Sequence, residues 1–535
     1  VPFLACHPAR RHHQGFWAGG LVVAVTVGVA STAHAEPAGG SASAAWAPPA
    51  TPPCDDCFLD AAGVWRRASS AYDILGDTGE PKRLQAWIGI TAILGIGTGW
   101  YWIDDRNIAD WDKPALKQRF TGQAWRMDNN WFPMNFVYHP WTGAAHYAIA
   151  RASHLGAGES ALYSVLGSTL WEFVLEFNEK ISINDMLMTP GAGIPLGEFG
   201  HKLGWYLNSA PHPNAAKQVL AWTLGPSGRL GRALDGTPPP SHVTVDPLGY
   251  SSAIWHRFRL SYSVGAVDDG QRDHPAIHSY EARGTLVSIP GYLRPGRLQR
   301  FFSEADFSTL AMSIEQSSRG AGFRIGSDTT LLGWLAQDFG YGSRPRGLAA
   351  VVGAHIGYRY ATSHAVFDEA FSALHFPSLG FDLHARGPGL GADLGLRTQL
   401  DFAGIRPPAY ARWKAAHPDA REKSILRKQQ YDYAWGGSGE ANAAISAGPV
   451  RLSSELFFGT YDSIEGLDRT QHIVYDDVDT KDVLIEQTTR LELQVPRSPI
   501  AFGAFISRRI WHSRVGDARK DVDYTTAGAR LSAEF

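Results

Sequence analysis

Glu172, Glu176 and Glu179 stand at i, i+4 and i+7, so a helix through them carries three carboxylates on one face. Such a face repels itself unless cations or hydrogen-bond donors meet it. Arg151, His139 and His146, on the preceding helix or its approach, are the partners within reach in sequence, and Asn135, Trp171, Ser182, Asp185 and Glu198 surround them. Three chemistries fit this set. The first is a buried polar network, with Asn135, Arg151, Trp171, Glu179, Ser182 and Glu198 tying helices together. The second is an acid–base site built on His139, Glu172, Glu176 and Asp185. His139 would serve as base, oriented by Glu172 or Asp185, on lipid or peptidoglycan-derived substrates at a membrane face. No Ser or Cys nucleophile stands in an elbow or triad context. The third is a metal site using Glu198-Phe199-Gly200-His201, whose i, i+3 carboxylate–imidazole spacing occurs in helical di-metal bundles. Only one such pair is present where two are needed, and Gly200 weakens the helix, so no metal and no cofactor is expected.

The elements that must position these residues are helical up to about residue 235. Helices are expected at 58–75, 86–103, 141–154, 160–179, 196–207 and 215–224, closed by Pro238 to Pro240. The run Ala86 to Ile103 has the length of a bilayer span, and it is expected to be a buried helix of this domain. Ahead of it, residues 1–35 read as a secretory signal: Arg10 and Arg11, an apolar stretch from Phe16, and Ala33-His34-Ala35 before Glu36. Residues 36–57 form a Pro/Ala/Ser/Gly linker ending in Cys54-Asp55-Asp56-Cys57, which outside the cytosol most simply closes as a local disulfide.

From about residue 250 the apolar period changes to two. Leu390, Ala392, Leu394, Leu396, Thr398, Leu400 and Phe402 share one face, opposite Asp393, Arg397, Gln399 and Asp401. Residues 483–495 repeat the scheme, with Glu486, Arg490 and Glu492 on the polar side. About twelve strands follow: 252–265, 276–290, 303–315, 321–338, 348–361, 373–386, 390–404, 432–447, 450–461, 483–495, 500–512 and 522–535. Alternation alone suits a soluble sandwich as well as a membrane barrel. Connection lengths separate the two: links after even strands are tight turns such as 387–389 and 448–449, and those after several odd strands are long and charged, notably 405–431 and 462–482. The expected fold is therefore α+β, an N-terminal helical domain over 58–240 followed by an antiparallel transmembrane β-barrel over 241–535. The final strand ends on Phe535 and resembles the C-terminal recognition signal of bacterial outer-membrane barrels.

Composition narrows the classes of function. The 535 residues carry 19% charged side chains and a net charge of -3, with no long basic run, which argues against nucleic-acid binding. A mean hydropathy of -0.19 argues against a polytopic helical membrane protein. The expected partners are outer-membrane lipid and lipopolysaccharide, with barrel-assembly machinery engaged during biogenesis. The basic loop of Arg406, Arg412, Lys414, Arg421, Lys423, Arg427 and Lys428 reads first as solvated charge, with packing on the acidic 462–482 or contact with lipopolysaccharide phosphates as the alternatives. Inside the barrel, Asp393, Arg397, Asp401, Glu486, Arg490 and Glu492 carry both signs and are expected to pair across the lumen.

Residues 125–205 resemble the domain-of-unknown-function 3943 family of bacterial envelope proteins. The matching positions are Asn135, His139, Pro140, Gly143, Trp171, Glu172, Glu176, Glu179, Ser182, Asp185, Thr189, Pro190, Gly197 and Glu198. The resemblance implies an envelope location and a shared site or packing core, and no particular reaction. The function expected is an envelope structural or transport component whose helical domain is periplasmic or plugs the barrel. The alternative is a membrane-associated lipid hydrolase.

Overall fold

In the computed structural model the described residues are 56–60, 64–67, 79–104, 112–237, 243–271, 273–340, 346–468 and 478–535. The expected signal segment, nearly all of the linker and Cys54 lie outside them. Cys57 is disulfide-bonded.

Two short strands, β1 (Cys57–Leu59) and β2 (Trp65–Arg67), stand where a helix over 58–75 was expected. Leu59 and Trp65 are partners in the hairpin, and β1 is pinned along a strand at 296–302, so sheet pairing overrides the local helical pattern. Four long helices follow. The first, α1 (Arg83–Asp104), leads to a short α2 (Leu116–Phe120) and a two-residue strand β3 (Trp125–Arg126). A wide turn over Met134–Tyr138 feeds α3 (His139–Ala152), which has Pro140 in its first turn. After α4 (Ala157–Leu170), a second wide turn covers Trp171–Leu175. Strand β4 (Ile181–Ser182) pairs with β3 in parallel and opens α5 (Ile183–Leu207). The shorter α6 (Ala215–Leu224) and α7 (Pro226–Asp235) close the region.

The barrel then forms from β5 (Trp255–Asp268), β6 (Ala276–Val287), β7 (Gly296–Phe302), β8 (Phe307–Ser317), β9 (Ala321–Phe339), β10 (Gly347–Ser363), β11 (Glu369–Arg386), β12 (Leu390–Ile405), β13 (Asp432–Ala447), β14 (Val450–Ser463), β15 (Thr480–Gln494), β16 (Ile500–Val515) and β17 (Ala518–Glu534). Twelve of these close an antiparallel ring, since β17 pairs back onto β5 with Thr525 opposite Asp268 and Glu534 opposite Arg259. The thirteenth, β7, lies in the connection between β6 and β8 and pairs with the far half of β9. Between β12 and β13, α8 (Tyr410–Ala416) and α9 (Ser424–Gln429) fold over one mouth, with Tyr410 and Trp413 packed against Val478 and Val515. This mouth is called the loop end below, and the opposite mouth the turn end.

Ion pairs between non-adjacent strands identify the inward face. Arg283 on β6 meets Glu455 on β14 at 2.8 Å, Arg359 on β10 meets Glu486 on β15, and Arg509 on β16 meets Glu369 on β11. Their neighbours in sequence must therefore point outward. The helices meet that outward set. Gly284 faces the Phe199 ring of α5, the Tyr358 hydroxyl donates to the Phe136 carbonyl, and Leu374 lies against Gly191. One apolar core joins Phe132, Phe136, Tyr147, Met188 and Ala192 to Ile325, Tyr358, Tyr360, Leu374, Phe402 and Tyr433 of the wall. Among the described residues, those lining the lumen cavity run from Trp255 to Glu534, and none belongs to the helical region. The expectation of a buried α1 is corrected, because Ile88, Ile96, Trp100 and Ile103 are exposed.

Candidate functional site: two polar layers at the helix ends

Contacts at the helix ends fix a common order. Lys82 N–H, just before α1, donates to the Ser153 carbonyl at 2.9 Å, and Tyr101 near the other end of α1 donates to Glu179. Along α3 and α5, His139 lies by Asp185, Gly143 by Thr189 and Tyr147 by Glu198, so these two helices run parallel. Helix α4 runs antiparallel to both: Ala157 N–H donates to Glu304 at the turn end, and Ser168 donates to the Asp185 carbonyl at the loop end. The charged motif residues thus sort into two layers.

The loop-end layer centres on Asp128, whose Oδ1 accepts from Asn135 Nδ2 at 2.6 Å and from the Tyr433 hydroxyl at 2.8 Å. Asn135 Nδ2 also reaches the hydroxyls of Tyr431 and Tyr433, at 2.9 and 2.7 Å. The backbone N–H of Asp128 donates to Asn184 Oδ1, and Asn184 Nδ2 donates to Asp185 Oδ1 at 2.8 Å. Glu172 accepts from the Ser182 N–H at 2.9 Å, while its Oε1 has no hydrogen-bond partner among the described residues. Beneath it the Arg119 guanidinium donates to the carbonyls of Glu172 and Phe177. Asp128, Asn135, Glu172, Asn184, Asp185, Tyr431 and Tyr433 are all buried. A second contact chain ties the barrel loops to this layer: Asn129 donates to Ser424, and Ser424 to Asp468 at 2.6 Å.

His139 stands at the edge of this layer, half-buried, with Nε2 3.8 Å from Asp185 Oδ1, beyond hydrogen-bond reach. The single carboxylate face does not form, because the helix ends at Leu175. Glu172 turns inward to Ser182, and Glu179 accepts from Tyr101. Trp171 packs on α1, its ring close to Gly97 and edge-on to Tyr101.

The turn-end layer centres on Glu198, fully buried on α5. It meets Arg151 Nε at 3.0 Å, Lys202 Nζ at 2.9 Å and the Tyr147 hydroxyl at 2.8 Å. Arg151 also donates to the Leu155 carbonyl and pairs with Glu304, and Lys202 donates to the Ala305 carbonyl in the β7–β8 link. Glu198 is therefore engaged by two cations and a phenol. Among the described residues no group of three or more His, Cys, Asp or Glu side chains is placed to hold a metal ion. His146, buried between the layers under Gly167, has no hydrogen-bond partner among the described residues. Sequence reasoning noted Asp128, Tyr147 and Asn184 without giving them a role, and passed over Lys202, Tyr431 and Tyr433. The Tyr-x-Tyr spacing at the start of β13 was a usable signal, since it sets a phenol at 433 on the face where hydrocarbon was expected.

The lumen carries the third cluster of charge. Arg324 meets Glu369 at 3.3 Å and Glu486 at 3.5 Å, Arg530 meets Glu281 at 3.0 Å, and Arg259 meets Glu492 at 3.2 Å. Nearer the loop end, Phe371, Phe457, Tyr461 and Trp511 fill the interior, with Arg359 4.2 Å above the Phe457 ring. Arg490 pairs with Glu455, Arg397 with Asp382, Asp393 with Arg386 and Arg451, and Asp401 with His375 and Tyr461. The space remaining inside is about 700 Å³. In the basic loop, Arg406, Lys414 and Lys423 are engaged by Asp368, Glu422 and Asp432.

Residues 124–227 match the model of the family described as Domain of unknown function (DUF3943). That span covers α3 to α6 and the residues of the two polar layers from Asp128 to Lys202. No curated protein matches the chain. Among solved structures, the NanC porin aligns at 8% identity over 51% of this chain and 98% of its own, with a TM-score of 0.26. OmpT, an outer membrane protein of Vibrio cholerae, aligns at 8% identity over 53% and 97%, with a TM-score of 0.22. The translocator domain of the autotransporter NalP from Neisseria meningitidis aligns at 10% identity over 60% and 99%, with a TM-score of 0.19.

Proposed function

We propose that this protein is a structural component of the bacterial outer membrane, a closed barrel that serves as a rigid wall for the DUF3943 helices rather than as a diffusion channel. The outward side chains Leu396, Leu400, Trp435, Leu452, Leu456, Phe458, Leu491, Phe502 and Ile506 are exposed, as hydrocarbon-facing positions of a spanning barrel require. The observation that carries the structural role is the lumen itself. Arginines from β6, β9, β10 and β16 bridge to glutamates on strands across the ring, and aromatic side chains fill the loop end. Each bridge joins two charges of opposite sign in a confined interior, so a solute would have to break pairs to pass. The short loop helices and Trp413 add a cover over the same mouth.

Reconstitution into a planar bilayer tests this reading. The wild-type protein gives no sustained open conductance. A variant combining Arg283→Ala, Arg359→Ala and Arg509→Ala, which removes three cross-lumen cations at once, gives a measurable one. A stable, ohmic open state in the wild type would refute the structural role and favour transport.

A further inference from the structure

We infer that the helical bundle lies within the same bilayer as the barrel, with α1 and α4 facing lipid acyl chains and the two polar layers marking its two interfaces. The inference rests on the outer-membrane reading of the barrel and goes beyond it, because the sequence as a whole argues against helical spans.

Four observations converge. The first is length. At 1.5 Å per residue, α5 with 25 residues and α1 with 22 run about 37 and 33 Å, against an apolar band of about 25 Å on outer-membrane barrels. Residues 134–152 and 157–175, each a helix with its adjoining wide turn, run about 28 Å.

The second is charge. No Asp, Glu, Lys or Arg occurs in 84–103, 140–150, 160–171 or 186–197. The side chains that bound these stretches fall in two sets, Asp128, Glu172, Glu179 and Asp185 at the loop end and Arg83, Arg151, Glu159, Glu198 and Lys202 at the turn end. A charge-free slab between two polar layers is what a bilayer demands of a helix bundle.

The third is exposure. Ile88 and Ile96 on α1 are 62% and 74% exposed, and Leu162, Val165 and Leu166 on α4 are exposed between the layers. Helix α5 is sandwiched against the wall and buries nearly its whole surface. The bare faces thus continue the apolar outer surface of the ring around the side of the bundle.

The fourth is packing. Gly143 and Gly193 touch backbone to backbone, Gly197 meets Ala144 and Tyr147, and Gly89, Gly97 and Gly167 each abut a side chain of a neighbouring helix. Close approach at small residues is how helices associate when lipid surrounds them and no water can be expelled. A water-facing bundle would instead place charges along α1 and α4.

The test is site-directed nitroxide labelling of the full chain in vesicles of phosphatidylethanolamine and phosphatidylglycerol. Labels go on Ile88, Ile96, Leu162 and Leu166 of the helices, on Leu400 and Leu456 of the barrel, and on Arg497 in a tight turn. Collision with oxygen, which concentrates in the acyl layer, is compared with collision with a water-soluble nickel chelate. The helix labels are expected to favour oxygen as strongly as Leu400 and Leu456, with Arg497 favouring nickel. If the barrel labels are lipid-like and the helix labels favour nickel, the inference falls while the membrane barrel stands. Helix labels shielded from both reagents would mean that a second copy or another protein covers them, and would also overturn it. If Leu400 and Leu456 themselves favour nickel, the barrel reading fails first.

Discussion

The contact between α3 and α5 offers a sharp perturbation, because its geometry predicts opposite signs for two glycine-to-alanine changes. A Cβ built on Gly143 falls 1.7 Å from the Thr189 carbonyl oxygen and 2.5 Å from its carbon. Restoring ordinary contact moves the helices apart by about 1.5 Å, enough to forfeit roughly half of the dispersion attraction along the seam. Overpacking of this kind costs about 1–3 kcal/mol, and Gly143→Ala belongs at the upper end because backbone, which cannot swing aside, is what it strikes. Gly200 stands on the same α5 with nothing within 4 Å of its Cβ. There, alanine removes backbone freedom from the unfolded chain and gains about 0.5–1 kcal/mol. Helix melting followed by circular dichroism at 222 nm, in the same lipid, should show the helical transition of Gly143→Ala lowered and that of Gly200→Ala raised. Equal shifts in one direction would refute the claim that this seam is held by backbone contact.

Two further outcomes follow from the polar groups. Lys202→Met leaves Glu198 buried with one cation fewer and removes a tie to the Ala305 carbonyl. Breaking a buried pair costs about 3–5 kcal/mol, so the helices should melt before the strands in the same circular-dichroism experiment. At the loop end, burial would raise the Glu422 carboxyl, but its own backbone N–H, Lys414 and the Tyr410 hydroxyl together hold it below its ordinary 4.5. A depressed carboxylate contributes stability in full above its unfolded value and loses it as pH falls through the folded one. Protease nicking of 406–431 should therefore rise below pH 4.5, and Glu422→Gln should be nicked equally at neutral and acid pH.

The barrel was legible residue by residue because period-two alternation and turn chemistry act locally. Expected strands at 390–404 and 432–447 match Leu390–Ile405 and Asp432–Ala447 closely, since Gly387-Pro388-Gly389 and the Gly448 turn fix their ends. Strand β7 was missed because it exists through long-range pairing, with β9 beyond the end of β8 on one side and with β1 on the other. Helix α5 was expected to begin at Leu196, since Pro190 and Pro195 each remove a hydrogen bond from the ladder. In the fold it begins at Ile183, because packing between the wall and α3 supports the stretch through both prolines. The polar cluster was visible as a set of residue types and not as a geometry. Asp185 and Glu172 looked like partners for His139, but Asn184 and the Ser182 backbone claim them, and those contacts depend on a parallel β3–β4 bridge with no periodic signature.

The wall under the bundle differs from a lipid-facing wall in a way that fits permanent occupancy. Tyr358, Tyr360 and Tyr433 place phenols on the outward face, with Ser372 beside them, whereas the bare sector around β12 to β16 presents Leu400, Leu456, Leu491 and Phe502. A phenol stranded in hydrocarbon forfeits its hydrogen bond. Two of these find acceptors on the helical side: Tyr358 donates to the Phe136 carbonyl, and Tyr433 to Asp128. The Phe136 carbonyl belongs to the wide turn Met134–Tyr138, whose loosened hydrogen bonding frees such groups for outside partners. Gly404 completes the fit by leaving room for the Phe136 ring, where a Cβ would stand 2.1 Å from it. Barrel and bundle thus satisfy each other's polar atoms at the loop end, and the Glu198 cluster does the same through Lys202 and Ala305 at the turn end. A bundle only resting on the barrel would need neither set of bonds. Their presence at both ends of a seam of glycine and aromatic contacts makes the ring the wall on which the four long helices complete their packing.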